Sequence, residues 1–333
     1  MTSRFLLFFL FSAAVLGCNK SAGTPAGDSG DPPIDPGPSC DTIVQSTSPS
    51  NGSMGHYYRD PIVFHLSEPD PTAIVVTDIV GDTTLEDDGA TILFTPQGNL
   101  SASTQYTIGL DYCYGEPEIE FTTSHYGATL EASTELLGST YSLEFTGGEY
   151  TLGEDAGELM NSVFTRPLLL ELVVVYEATM DIRLAVGKPG VVPHVQDTCG
   201  RTITLRSVSL NELPFISGGV EDFAFGAHGG MLRFSSLAFE GTFASDGETM
   251  GGIAYEATMG VPELVDLLSD FGGEDELCSL SENLGIPCVD CGDGSGDSCI
   301  SIAAKGIEAN MIDVELIEIT EAGTHEDCEP ADG

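Results

Sequence analysis

The densest group of residues with potential chemistry lies between positions 288 and 299. There the run CVDCGDGSGDSC gathers Cys288, Cys291 and Cys299 with Asp290, Asp293 and Asp297 among glycines and serines. Four chemistries use such residues. A Cys288-x-x-Cys291 redox pair needs a strand-to-helix setting that lowers a thiol pKa, and the flanking sequence does not read as one. A zinc site would take three thiolates with His325 or Cys328 as fourth ligand, in competition with oxidation to disulfides. A calcium loop would use the three aspartates, but the D-x-D-x-D-G spacing and the terminal Glu are missing. Plain disulfide stapling of a loop too polar to pack is the reading that needs nothing else, so no metal and no cofactor is expected here.

Signatures of catalysis are missing elsewhere. The chain has no G-x-S-x-G elbow, no H-E-x-x-H, no phosphate-binding P-loop and no G-x-G-x-x-G after a strand. His228-Gly229-Gly230 has the look of a lipase oxyanion turn, but with no nucleophile elbow it reads as an ordinary turn. The six histidines are scattered. A triad assembled from distant residues is the one catalytic route left open; no catalytic residue is assigned, and the chain is expected not to be an enzyme.

Charge narrows the partners. With 53 acidic against 10 basic side chains the net charge is -43, and only eight Lys or Arg follow residue 20. Nucleic acid and anionic lipid surfaces require a basic patch, so neither is expected as a partner. The acidity reads as solubility outside the cell.

The first 17 residues carry Arg4 and an uncharged apolar run from Phe5 to Leu16, of signal-peptide length and too short for a membrane span. The run ends in Ala14-Val15-Leu16-Gly17-Cys18, which resembles the lipobox of bacterial lipoproteins. The resemblance implies cleavage before Cys18, diacylation of that cysteine and membrane attachment through its lipid; Asn19 after it favours the outer membrane. Residues 18–39 read as anchor and tether, because Pro, Gly, Ser and Asp fill nearly every position and leave almost nothing to bury.

Setting Cys18 aside, eight of the nine cysteines remain, an even number that suits four disulfides in an oxidising compartment. Cys40 and Cys113 fall in the first third, whereas Cys199, Cys278, Cys288, Cys291, Cys299 and Cys328 fall later. Each region is therefore expected to close its own bridges, and the later six leave their connectivity open.

Behind these residues stand two β regions. From 40 to 124, short period-two runs such as Ile62, Phe64, Leu66 and Ile92, Phe94 alternate with turn clusters, which predicts an antiparallel sandwich. Ser48-Pro49 with Gly52, Ser67-Glu68-Pro69, Thr95-Pro96 with Leu100 and Tyr106, and Phe121-Thr122-Thr123 together resemble the bacterial Ig-like domains of surface proteins. That resemblance implies a spacer or adhesive module without catalysis. Tyr106, Ile108 and Leu110 would face inward, and the Tyr106 hydroxyl would tie back to a loop as a tyrosine corner. Cys113, in a turn that departs from the family pattern, is expected to pair with Cys40.

Residues 125–333 predict a larger antiparallel β domain, barrel-like or a coiled sandwich, with one or two short helices. Every even position from Leu168 to Val186 is apolar. One straight strand of that length would span roughly 60 Å at 3.3 Å per residue, so the segment must curve or break near Ala178-Thr179. Val173 and Val175 beside Leu169 predict cover on both faces. Further strands are expected at 203–210, 231–243, 250–259 and 300–319. One helix is expected from Pro262 to Phe271, ended by Gly272, and a weaker one over 154–164. The fold class is thus mainly β. The expected function is a non-catalytic cell-envelope lipoprotein, a structural or interaction protein whose partners are the membrane and another envelope or surface protein. The competing expectation is a carrier or chaperone of an apolar ligand held inside the second β domain, whose even-numbered side chains would then line a cavity.

Overall fold

The computed structural model describes residues 41–131, 135–144, 147–150, 166–176, 178–227, 230–267, 272–292, 296–325 and 328, with the side chains of 211 and 222–231 excepted. The expected signal peptide and tether, Cys18, Cys40 and the weaker helix expected over 154–164 lie outside them. Residues 41–333 cluster as one compact unit. Its two parts are built around two separate apolar cores.

The first part has eight short strands: β1 (Val44–Ser48), β2 (Ser53–His56), β3 (Ile62–Leu66), β4 (Ile74–Val76), β5 (Gly81–Glu86), β6 (Thr91–Pro96), β7 (Gln105–Asp111) and β8 (Glu118–Thr123). They form two four-stranded sheets in the orders β1-β3-β6-β5 and β2-β8-β7-β4. All pairs are antiparallel except β2 with β8. Period-two alternation drives this arrangement. Ile62, Phe64 and Leu66 point to one face of β3 and meet Ile92, Phe94, Ile108, Leu110 and Phe121 in a single core. Ile108 and Leu110 are fully buried while Tyr106 is half-buried, and the Tyr106 hydroxyl accepts the Ser101 N–H at 2.8 Å as a tyrosine corner.

The second part is a closed antiparallel barrel. Its eight staves are β9 (Thr140–Leu143), β11 (Leu168–Val175), β12 (Thr179–Val186), β13 (Ile203–Glu212), β14 (Phe215–Ala227), β15 (Gly230–Phe243), β16 (Thr249–Gly260) and β18 (Ser298–Ile312). Pairing of Ala309–Ile312 with Leu143–Thr140 joins the last stave to the first. Short β10 (Glu149–Tyr150) and β17 (Val289–Asp290) each add to β18. Between β16 and β17 lie α1 (Val261–Leu267) and α2 (Glu274–Asn283).

The alternating segment breaks where its pattern weakens. β11 ends at Val175 and β12 begins at Thr179, so Leu168–Val186 folds as a hairpin rather than one curved strand. A register shift between Leu172 and Val174 ends the strict even-odd rule, leaving Tyr176 58% exposed. Cover on the outer face is partial, contrary to expectation. Leu169 and Ala185 are buried beneath Leu316, with Ile312 and Val314 packed alongside, but Val175 is 42% exposed. Residues 313–320, read from sequence as the end of a strand, instead form a strap over this outer face.

The sequence pattern does not announce β9, β10, β14, β17 or α2, and two of these show why. Gly218 and Gly219 interrupt the apolar pattern of β14, yet a Cβ on Gly219 would stand 2.7 Å from the Leu237 carbonyl oxygen of β15, so the close strand pair requires glycine there. Helix α2 is acidic through its first turn and buries only Leu277 and Ser281 on its inner face, which leaves little periodic signal. Helix α1 starts one residue before Pro262 and is described as far as Leu267; 268–271 lie outside the described residues.

Inside the barrel, Tyr141, Leu172, Met180, Ile182, Ile216, Leu232, Phe243, Met259, Ile300 and Ile302 belong to one continuous buried cluster. Eight strands give an interior that side chains can fill or that can hold one small ligand. The sandwich docks on the barrel through rings and hydroxyls. Thr242 Oγ1 lies 2.6 Å from the Tyr57 hydroxyl and 3.2 Å from that of Tyr58. Gly251 and Gly252 of β16 face Tyr126 and Tyr57, and a Cβ at either would collide with the ring. Arg59 pairs with Glu212 at 3.1 Å and stacks 3.7 Å over the Phe215 ring. Burial pushes the Tyr57 hydroxyl above its ordinary pKa, chiefly through lost hydration.

Candidate functional site

The residues singled out for chemistry do not converge on a reactive centre. In the 288–299 loop the thiols are oxidised: Cys278 bonds Cys288, and Cys291 bonds Cys299. The first bridge fastens α2 to the residue before β17, and the second ties Cys291 to the second residue of β18. Cys199 bonds Cys328 across 129 residues of sequence. With no thiolate left, neither zinc capture by sulfur nor thiol exchange has its ligand or nucleophile. Asp290 accepts the Gly292 N–H at 2.7 Å as a turn residue, and Asp293 lies outside the described residues. Among the described residues no group of three or more His, Cys, Asp or Glu is placed to hold a metal. Cys113 is disulfide-bonded, while its expected partner Cys40 and the expected lipid acceptor Cys18 lie outside the described residues, as do His228 and Gly229.

The constellation closest to catalysis is one the motif search could not find. The connection between β12 and β13 folds back on itself, with Gly187 bridging Gln196 and the Lys188 N–H donating to Val195 O at 2.8 Å. That return places His194 against β9. Its Nδ1 lies 2.5 Å from Ser142 Oγ and its Nε2 lies 3.5 Å from Glu144 Oε1. The tautomer that satisfies both contacts carries hydrogen on Nε2, with Nδ1 accepting the Ser142 O–H. The three residues border a groove of about 640 Å³ that Glu308, Asn310 and Ile312 of the adjacent β18 also line.

Ser, His and Glu in one line could activate a hydroxyl, but two features oppose it. Ser142 sits mid-strand, paired with Leu169 on one side and Asn310 on the other, so its backbone N–H belongs to a ladder and cannot serve an oxyanion. Glu144 is 65% exposed, and water screens the charge that should steady an imidazolium. The arrangement fastens a loop to the barrel wall. Its members are separated by about 50 residues of sequence and share no motif, so no local signal could have announced them.

Other buried polar groups tie residues 313–320 to the barrel. Glu171, 5% exposed, accepts from Arg183 at 2.8 Å, and the same guanidinium donates to Leu316 O at 2.8 Å. Gln196 exchanges two hydrogen bonds with Ile317, and Thr202 does the same with Ile319. These bonds hold the strap on the outside of the barrel. Comparison of the chain with protein-family models and with curated proteins finds no match.

Proposed function

We propose that this chain is a non-catalytic, lipid-anchored protein of the cell envelope, held through Cys18, with residues 19–39 as tether and the Ig-like sandwich as spacer. The barrel then serves as a structural scaffold that shows its outer surface to another envelope protein. The observation that carries this reading is the barrel interior, one continuous cluster of buried apolar side chains. A carrier would keep an open apolar space of a few hundred cubic ångströms for its ligand. We read this cluster as side chains that interdigitate at interior density and leave none. The ladder-bound Ser142 and the oxidised cysteines support the non-catalytic part, and the net charge of -43 supports the exclusion of nucleic acid.

Anchoring is tested by fractionation. Replacing Cys18 with Ser is expected to move the protein from the membrane fraction, the outer one by the Asn19 rule, to the soluble fraction, because two acyl chains suffice for stable attachment. A C18S protein that stays with membranes after a high-salt wash would refute the anchor.

A further inference from the structure

The eight basic residues after position 20 are few enough to follow one by one among 53 acids. Arg59, Arg166, Arg183 and Lys305 each have a carboxylate within 4.0 Å. Among the described residues Lys188 has no carboxylate within that distance, and neither do Arg201 and Arg206, which are both exposed. Yet they line one groove of about 520 Å³, to which Arg233 of β15 adds a third guanidinium. Five acids for every base make an unpaired arginine uncommon on this surface, and two in one groove more so. Glu318 borders the groove but turns to Arg183, with its carboxylate 3.7 Å from the Arg183 Nη2.

The fold explains where this groove comes from. Among the described residues the ladder between β13 and β14 is confined to its hairpin end, where Ser209 faces Ser217 and Glu212 faces Phe215. Toward the start of β13 the strands make no register pair, and Ser207 has a positive φ of 59° that marks a bulge beside Arg206. The groove occupies this splayed seam, with Val220 of β14 on its far side and the hydroxyls of Thr204 and Thr320 along it. The strap that supplies Thr320 is fixed by the Thr202–Ile319 bonds, so this wall is preformed.

We infer that the seam between β13 and β14 is a binding site for a small ligand carrying two tetrahedral oxyanion groups, of phosphate or sulfate type, with Arg201 and Arg206 as its principal contacts. A guanidinium fork donates two parallel hydrogen bonds to such a group, and hydroxyls complete the shell. A groove of about 520 Å³ exceeds one such group and accommodates two. The net charge of -43 decides the size of the ligand, since a long polyanion would meet acidic surface on every side of the groove whereas a small dianion need meet only its lining.

The test uses the mature chain from residue 19 with inorganic pyrophosphate as probe, read by thermal shift and calorimetry against sodium chloride at equal ionic strength. Pyrophosphate is expected to raise the melting temperature and to bind one to one. Arg201→Gln and Arg206→Gln should each weaken binding by about tenfold, the worth of one charge-assisted hydrogen bond. Neither should lower the melting temperature of the ligand-free protein, because removing an exposed, unpaired charge removes no contact. Lys188→Gln, elsewhere on the barrel, should leave binding unchanged. A sulfated disaccharide that competes with pyrophosphate would identify sulfate esters as a second source of the same chemistry. The inference is overturned if pyrophosphate stabilises no more than chloride, if R201Q/R206Q binds as well as the parent chain, or if heparin binds more tightly than either small probe.

Discussion

Sandwich and barrel each pin a loop with one buried carboxylate, and they do so over different distances. In the sandwich, Asp70 accepts the Thr72 hydroxyl at 2.6 Å and the Cys113 N–H at 2.8 Å, so the acid itself fixes the disulfide-bearing turn. In the barrel, Glu171 reaches the strap only through Arg183, whose guanidinium joins the carboxylate to Leu316 O. A short loop beside a strand end needs only a carboxylate. A strap crossing the outside of a barrel wall needs a longer side chain, and a second charge must then be buried with the first. The difference teaches that the two parts should fail differently: the sandwich by protonation of one group, the barrel by loss of one partner of a pair.

The largest effect should come from breaking the barrel pair. Arg183→Met leaves Glu171 buried without its cation and frees Leu316 O, and is expected to destabilise the protein by about 3–5 kcal/mol. Chemical denaturation measures the loss, and amide exchange should show Ile317 and Ile319 losing protection first. A loss under about 1 kcal/mol would place this pair among ordinary surface bridges and dissolve the contrast with Asp70.

A smaller effect is expected from Asp70→Ala, about 2 kcal/mol, the range for hydrogen bonds to a charged group. Its pH signature is the sharper test. The Thr72 hydroxyl first, and the Cys113 N–H next, hold the Asp70 carboxyl below its ordinary pKa. A depressed folded-state pKa means stability that is fully present above the unfolded value of about 3.9 and is lost as pH falls through the lower folded value. The parent chain should therefore lose more stability than Asp70→Ala on acidification below about pH 4. Parallel acid limbs for the two proteins would contradict that role.

How far the sequence reveals these features follows from how local each one is. The alternation of Ile62, Phe64 and Leu66 and the five-residue reach from Ser101 to Tyr106 are contained in short windows, and the sandwich pattern is readable from them. Strong alternation from Leu168 to Val186 marks β11 and β12, but the register shift after Leu172 is set by the neighbouring strand and leaves no mark in composition. The strap was misread as strand because Val314, Leu316 and Ile319 look like a continuing apolar face, while their burial depends on Leu169 and Ala185, over a hundred residues away. Of the candidate site, the cysteines were legible as bridges but not their pairing. Ser142 with His194, and Arg201 with Arg206 in a splayed seam, exist only once the barrel has closed.

The central claim is that the barrel is filled, and the most direct measurement asks whether an apolar ligand enters it. The chain from residue 19 onward, which lacks the proposed lipid acceptor Cys18, should carry no co-purifying acyl chain in native mass spectrometry, and added fatty acid should leave its melting temperature unchanged. A bound acyl chain, or a melting temperature that climbs with fatty-acid concentration as ligand linkage requires, would contradict the scaffold and establish a carrier.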